Sequence, residues 1–248
     1  MVTVKNYEQI SKMKIAGKVL GEAIAMLKEK TQIGVNCLDL DKAFEEFITK
    51  KGCTSNFKGY GGFPKTICIS INDQLVHGIP QNRVLEDGDI VSIDTGCVFE
   101  GYHADAAFTK IVGNPKNDQA VQLLNVTEES LNLAIKMLKS GVRIGDIGHT
   151  IQSYVESFGF SVPREYTGHG IGTAMHEDPF IPNYGAAGTG MRLTEGMIIC
   201  IEPMVQVGHF STKVASDKWT VYSKDGSMAA HFEHTILITQ DSCEVLTK

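Results

Sequence analysis

The chain repeats itself, and this constrains its fold more than any local pattern does. Gly34 and Gly52 each end an apolar-periodic helical run, and they reappear 107 positions later as Gly141 and Gly159. The run Asp87-Gly88-Asp89-Ile90-Val91-Ser92-Ile93-Asp94 matches Glu195-Gly196-Met197-Ile198-Ile199-Cys200-Ile201-Glu202 at a shift of 108. A weaker echo relates His77-Gly78-Ile79 to His169-Gly170-Ile171 at a shift of 92, and it requires halves of unequal length. Several matches in one order argue for duplication, and two copies are too few for a solenoid. The expectation is one domain over residues 1–248, an α/β (α+β) fold with pseudo-two-fold halves at about 6–112 and 118–240. The strands would share a sheet, with four helices packed on one face.

Local patterning supplies the elements. Asn6 reads as an N-cap, and Ile10, Met13, Ala16, Val19, Leu20, Ala23 and Leu27 follow at helical spacing. A second helix carries Leu38, Ala43, Phe44, Phe47 and Ile48 and stops at Gly52. Strand-like runs cover 66–71, 90–95 and 106–112, and Asn114-Pro115 marks the boundary, since the residue before proline avoids the helical region. Beyond it the order restarts. A helix over 118–139 places Val121, Leu124, Leu131, Ile135 and Leu138 on one face, and another runs to Phe158.

The chemistry lies at strand ends. Asp94 closes an apolar strand, and Asp105 follows eleven positions later. A hairpin with a two- or four-residue loop pairs positions whose numbers add to an odd total, so both side chains emerge on one face. Two aspartates there repel unless a cation or shared proton compensates them; the bland alternative is two solvated residues at a loop. Glu202 occupies the repeat position of Asp94, and Glu233 precedes the last strand pattern as Asp105 lies in the third strand of its half. Four carboxylates converging in a core would be very costly alone. Two divalent cations would balance them, and carboxylates with one imidazole suit cobalt, manganese, iron or zinc. His169, between Gly168 and Gly170, is the candidate imidazole. His77 and His176 read equally well as surface or site residues. His103, His149, His209, His231 and His234 receive no catalytic role.

Composition excludes other classes. Hydrophobic residues make up 42% of the chain, enough for a core, while a net charge of -6 without a basic block argues against nucleic-acid binding. No stretch is long and apolar enough for a membrane helix, and no secretory signal begins the chain. The six cysteines include no Cys-x-x-Cys pair, as expected of reduced thiols in a cytoplasmic protein.

Taken together, Ser70-Ile71-Asn72-Asp73, His77-Gly78-Ile79-Pro80, Asp94, Asp105, Gly168-His169-Gly170-Ile171-Gly172, His176-Glu177-Asp178-Pro179, Ile201-Glu202-Pro203-Met204 and Glu233-His234-Thr235 resemble the methionine aminopeptidase family, type I, in its short bacterial form. The likeness covers essentially the whole chain. It implies the pita-bread fold with a mainly antiparallel sheet. It also implies a dinuclear metal site of Asp94, Asp105, His169, Glu202 and Glu233, with Asp105 and Glu233 bridging. By the same resemblance, Glu202 is the general base, His176 stabilises the oxyanion, and His77 orients the scissile amide. Tyr60, Phe63, Cys68, Met175 and Trp219 fall where the family builds its methionine pocket, though core packing alone would satisfy the same residues. Gly61 and Met175 stand where some members carry histidine and phenylalanine, so the pocket rim is expected to differ. The implied substrates are nascent polypeptide N-termini, met at the ribosome by a monomeric cytoplasmic enzyme. Rival readings are a proline-directed relative, a metal-free peptide-binding module and a carboxylate nuclease. Retention of all five ligands argues against the second, and acidic charge against the third.

Overall fold

A computed structural model describes residues 2–248. Helix α1 (Tyr7–Lys30) opens on a capping box: the Asn6 side chain accepts from the Gln9 N–H, and the Gln9 side chain accepts from the Asn6 N–H. Its buried stripe includes Met13, Ala16, Leu20, Ala23 and Leu27. Helix α2 (Cys37–Lys50) is capped by Asn36, and α3 (Asp118–Lys136) and α4 (Ile144–Ser157) repeat the pair in the second half. Gly34, Gly52, Gly141 and Gly159 all have positive φ, between 78° and 93°. Gly52 and Gly159 directly follow the C-caps of α2 and α4, whereas Gly34 and Gly141 lie in the turns between the helices of each pair rather than at a helix end.

The expected α3 face is met in part: Leu131 and Leu138 are buried and Leu124 and Ile135 pack against the core, but the buried side is wider and leaves out Val121. The helix ends at Lys136, Val121 is 38% exposed, and the buried side is formed by Ala120, Leu123, Val126, Thr127, Ser130, Leu131 and Ala134. Burial of two hydroxyls hid part of this face from a count of apolar residues. Thr127 donates to the Leu123 carbonyl and Ser130 to the Thr127 carbonyl, each at 2.7 Å, which removes the cost of their burial.

The strands are β1 (Thr54–Ser55), β2 (Ile67–Ile71), β3 (Gln74–Val76), β4 (Ile90–Phe99), β5 (Tyr102–Ile111), β6 (Thr167–Gly170), β7 (Glu177–Pro182), β8 (Ile198–Ile201), β9 (Met204–Gln206), β10 (Thr212–Val214), β11 (Val221–Ser223), β12 (Ala229–His231), β13 (His234–Ile238) and β14 (Cys243–Val245). All pairings are antiparallel. The expected shared sheet is realised as two main ladders, β1, β2, β4 and β5 in one half and β14-β13-β8-β6-β7 in the other, with two small ladders beside them. In each half a central strand, β4 or β8, pairs on one side with the strand that follows in the repeat and on the other with β2 or β6. The echo between His77 and His169 is therefore not an equivalence: β2 holds the place of β6, and His77 lies just beyond β3.

The halves meet along a seam of hydrogen bonds. Ala107 and Glu233 exchange backbone bonds of 3.0 and 3.4 Å. The Thr235 hydroxyl accepts from the Asp105 N–H at 3.0 Å and donates to the Asp105 carbonyl at 2.7 Å, and Thr109 bonds the backbone of His231 in the same manner. Helix α1 packs on β4 and β5, α2 on β1 and β2, α3 on β5 and β12, and α4 on β7. One large apolar cluster contains residues of both halves, from Leu20 and Phe44 to Ile151 and Ile236.

Two glycines in α1 allow the C-terminal residues to lie against that helix. A Cβ at Gly17 would stand 2.5 Å from the Leu246 carbonyl oxygen, and one at Gly21 2.7 Å from that of Lys248. Alanine is normally favoured over glycine inside a helix by about 1 kcal/mol, but forcing backbone apart costs roughly 1–3 kcal/mol. Gly17→Ala is therefore expected to lower the melting temperature by up to about 8 °C for a chain of this size. Thermal denaturation at fixed metal concentration checks this, and a rise in melting temperature would contradict the packing argument.

Candidate metal centre and active site

The β4–β5 hairpin closes with Phe99 opposite Tyr102, a two-residue turn, so Asp94 faces Ala107 and Asp105 faces Gly96. Asp94 and Asp105 are thus diagonal neighbours on one face, as the parity of their numbers requires. In the second half Glu202 follows β8 directly and Glu233 immediately precedes β13. The repeat brings the two pairs of carboxylates face to face. Ligand atoms of Asp94, Asp105 and Glu233 lie within 4.8 Å of one another, as do those of Glu202, His231 and Glu233, and of His169, Cys200 and Glu233. Glu233 belongs to all three groups.

His169 lies in β6, paired with Cys200 of β8. Its Nδ1 donates to the Gly170 carbonyl at 2.8 Å, which leaves the Nε2 lone pair 3.6 Å from Glu202 Oε1 and 4.0 Å from Glu233 Oε1. A ligating imidazole needs this second-nitrogen bond to fix its tautomer. Burial, then the neighbouring His176, pulls the His169 pKa down to about 3, so the ring is neutral and free to donate its lone pair.

The carboxylates are shifted the opposite way. Burial raises Asp94 to about 6 and holds Asp105, Glu202 and Glu233 well above the usual carboxylate range, with repulsion from neighbouring carboxylates adding to the effect in the last three. Asp94 Oδ1, Asp105 Oδ1 and Glu233 Oε1 are buried without a hydrogen-bond partner among the described residues. Native proteins rarely leave so many orphaned acceptors together unless something absent from the protein atoms satisfies them. An oxygen-rich donor set completed by imidazole fits divalent manganese, iron, cobalt or zinc.

Two residues of this cluster were missed from sequence. His231 is 1% exposed, and its Nε2 lies 3.4 Å from Glu202 Oε2 and 4.0 Å from Glu233 Oε2, itself without a hydrogen-bond partner. The signal was available: His231 stands two positions before Glu233 in extended chain, so both side chains point the same way. Cys200 is fully buried, its thiol 3.5 Å from the Thr235 hydroxyl, and burial holds it protonated. No pattern in the sequence marks it out from the other cysteines.

Beside the carboxylates opens a cavity of about 270 Å³ lined by all five predicted pocket residues, Tyr60, Phe63, Cys68, Met175 and Trp219, together with His77, His176 and the carboxylates. Phe57, Phe63, Cys68 and Met175 form its buried apolar wall, with Ile79 and Trp219 packed against them. Tyr60 is 47% exposed at the rim, and its hydroxyl contacts His176 Nδ1 at 2.8 Å. A Cβ on Gly61 would stand 3.2 Å from the Trp219 ring, so glycine here gives the indole room. His77 has φ of +59°, an uncommon backbone state for a residue with a side chain, and its ring packs against Tyr166 and Trp219. Burial lowers its pKa to about 4, with His231 and His176 contributing. His77 and His176 face the cavity but belong to none of the three metal-ligand groups.

A carboxylate and imidazole centre beside an apolar pocket is the arrangement of a metal-dependent hydrolase. Residues 11–240 match metallopeptidase family M24, and the chain belongs to that family. It is 68% identical over 248 residues to a methionine aminopeptidase of Mycoplasma capricolum subsp. capricolum, covering 100% of this chain and 99% of that one. Methionine aminopeptidase 1 of Bacillus subtilis is 47% identical, with full coverage of both. The crystal structure of methionine aminopeptidase from Thermotoga maritima superposes with a TM-score of 0.98 at 46% identity, again over both whole chains. A prolidase from Pyrococcus furiosus, at 23% identity and a TM-score of 0.79, shares the fold; this chain covers 65% of it.

The pKa shifts set the pH dependence of metal stabilisation. In metal-free protein the carboxylates ionise with difficulty, so folding is opposed increasingly as pH rises from about 4, the unfolded value, through the folded value of about 6 for Asp94. Cations remove this penalty, and protons compete with them. The rise in melting temperature on adding manganese to chelator-treated protein is therefore expected to be larger at pH 7 than at pH 5. Equal gains at both values would contradict the assignment.

Proposed function

We propose that the chain is an aminopeptidase that removes the initiator methionine from nascent proteins and peptides whose second residue is small. One observation carries the reading: a cavity of about 270 Å³ combines an apolar wall with a cluster of four carboxylates. The names of the similar proteins above support it. In this reading residues 1–248 form one catalytic domain, and Asp94, Asp105, His169, Glu202 and Glu233 would hold two divalent ions. The ion pair would supply Lewis acidity towards the scissile carbonyl and make water nucleophilic near neutral pH.

The protein groups do the rest. Phe57, Phe63, Cys68, Met175 and Trp219 take the methionine side chain, and the neutral α-amine is directed to the acidic end of the cavity. An acylated amine has no lone pair to offer there, which selects free chain termini. Glu202 takes the proton of the attacking water and returns it to the leaving amine. With Nδ1 accepting a hydrogen bond from the Tyr60 hydroxyl, His176 presents Nε2–H to the developing oxyanion, where such a donor is worth about 3–4 kcal/mol. His77 orients the scissile amide. We further infer that the enzyme acts as a cytoplasmic monomer on chains emerging from the ribosome; among the described residues no helix is long and apolar enough to cross a membrane.

Substrate preference tests the reading directly. Met-Ala peptides are expected to turn over well, Met-Lys peptides poorly and N-acetylated Met-Ala peptides not at all. Equal hydrolysis of the three would overturn it.

Ligands and helpers separate by metal content. Asp94→Ala is expected to lose both bound metal and turnover, whereas His77→Ala keeps near-normal occupancy while turnover falls by about 10²-fold. Glu202→Gln should retain some metal through its amide oxygen yet be nearly inactive, because an amide cannot take the proton. Elemental analysis and turnover on the same preparations decide the matter. Loss of metal from His77→Ala as complete as from Asp94→Ala would move His77 into the ligand set.

A further inference from the structure

The N-terminal segment reaches the active-site loop through a buried ion pair. Lys5 is 7% exposed, and its Nζ donates to Glu177 Oε2 at 3.0 Å and to the Thr3 hydroxyl, which itself donates to the same Glu177 oxygen at 2.6 Å. The other carboxylate oxygen accepts from the N–H groups of Thr173 at 2.8 Å and Ala174 at 3.2 Å. Burial alone would raise the Glu177 pKa, yet the hydrogen bonds from Thr3 and Lys5 bring it down to about 2. The Lys5 N–H also donates to the Gly196 carbonyl at the turn before β8.

These contacts fix one loop. Residues 171–176 join β6, which carries His169, to β7, which begins at Glu177. The loop carries Met175 of the pocket wall and His176, whose ring centroid lies 4.4 Å from that of His169. Gly172 has no space for a side chain: a Cβ would stand 2.6 Å from Glu177 Oε1 and 2.7 Å from the Lys5 stem. Its carbonyl accepts from the His103 N–H at 2.8 Å. Tyr60 holds the His176 ring from the rim, while Glu177 holds the backbone from below.

A buried ion pair is a poor choice for stability alone, since well-packed apolar residues there would serve as well or better. What a carboxylate with four or five donors provides is direction. We propose that Lys5, with Thr3, is a positioning residue for His176, acting through Glu177 to fix the loop over the cavity. The proposal rests on the role of His176 given above.

The test compares wild type, Lys5→Met, Thr3→Val, His176→Ala and the double variant Lys5→Met/His176→Ala on a Met-Ala peptide, with bound metal and amide exchange measured on each. Lys5→Met is expected to keep its metal and a KM within about twofold, while kcat falls about tenfold or more, the scale of a small misplacement of a reacting group. Exchange at the Thr173 and Ala174 amides should accelerate. In the His176→Ala background the further loss should shrink to less than about twofold, because nothing remains to be positioned. A folded, metal-loaded Lys5→Met with wild-type kcat would overturn the proposal, as would an undiminished loss in the double variant. If Lys5→Met does not fold, Thr3→Val removes one donor to the same oxygen and is read by the same comparisons with His176→Ala. If wild type leaves the peptide intact, the reaction assignment fails instead, and unchanged amide exchange in the strap variants then overturns the strap by itself.

Discussion

Mutual repulsion of four buried carboxylates is the constraint to which the rest of the structure answers. Glu202 and Glu233 flank strand ends, but Asp94 lies within β4, which runs on to Phe99 rather than closing at Asp94 as the sequence suggested, and Asp105 lies within β5. One oxygen each of Asp94, Asp105 and Glu233 has no hydrogen-bond partner among the described residues. Holding them together requires a scaffold that cannot relax by letting one swing away. The ladders supply that stiffness: Asp94 and Asp105 are locked by ten consecutive residue pairs of one hairpin, and Glu233 by backbone bonds to Ala107 on the opposite half. The same electrostatic tension that disfavours the empty site makes it a strong receptor for divalent cations.

The division of labour within the cavity follows from donor chemistry. Imidazoles whose second nitrogen meets a backbone carbonyl, as in His169, are set to offer a lone pair. The Nδ1 of His176 instead meets the Tyr60 hydroxyl, which can donate or accept, so its role as a proton donor rests on the function proposed above. His231 sits between these cases: it is buried, neutral and within 3.4 Å of Glu202, which places it to restrain that carboxylate.

Much of this was legible in the sequence because duplication doubles every signal. The paired glycines and the matched strand at 87–94 and 195–202 revealed the two halves, and hairpin parity placed Asp94 and Asp105 on one face before any coordinates. What escaped has physical causes. Thr127 and Ser130 are buried with their hydroxyls satisfied locally, so an apolar count left them out of the buried side of α3 and took in the exposed Val121. Strands β9 to β12 have three residues each, too few to show a period. His231 was passed over because histidine alone is ambiguous, although its spacing from Glu233 held the clue. Nothing in the sequence marks Lys5, since burial of its ammonium depends on a partner 172 positions away.

The seam between Ala107 and Glu233 has an implication for descent. It joins equivalent regions of the two halves, and Glu233, a member of all three candidate metal-ligand groups, stands in the seam itself. A half-length ancestral chain would thus have lacked a complete site, yet two identical copies meeting along this edge would have formed one on their shared rotation axis. Such an isologous contact is the commonest route by which identical subunits associate. In a fused chain each copy is free to differ: Asp94 and Glu202 differ by a methylene, and only the second half has an imidazole in its inner strand, His169. The present enzyme is, in this sense, a dimer that has lost its symmetry and gained a direction along which a peptide can be read.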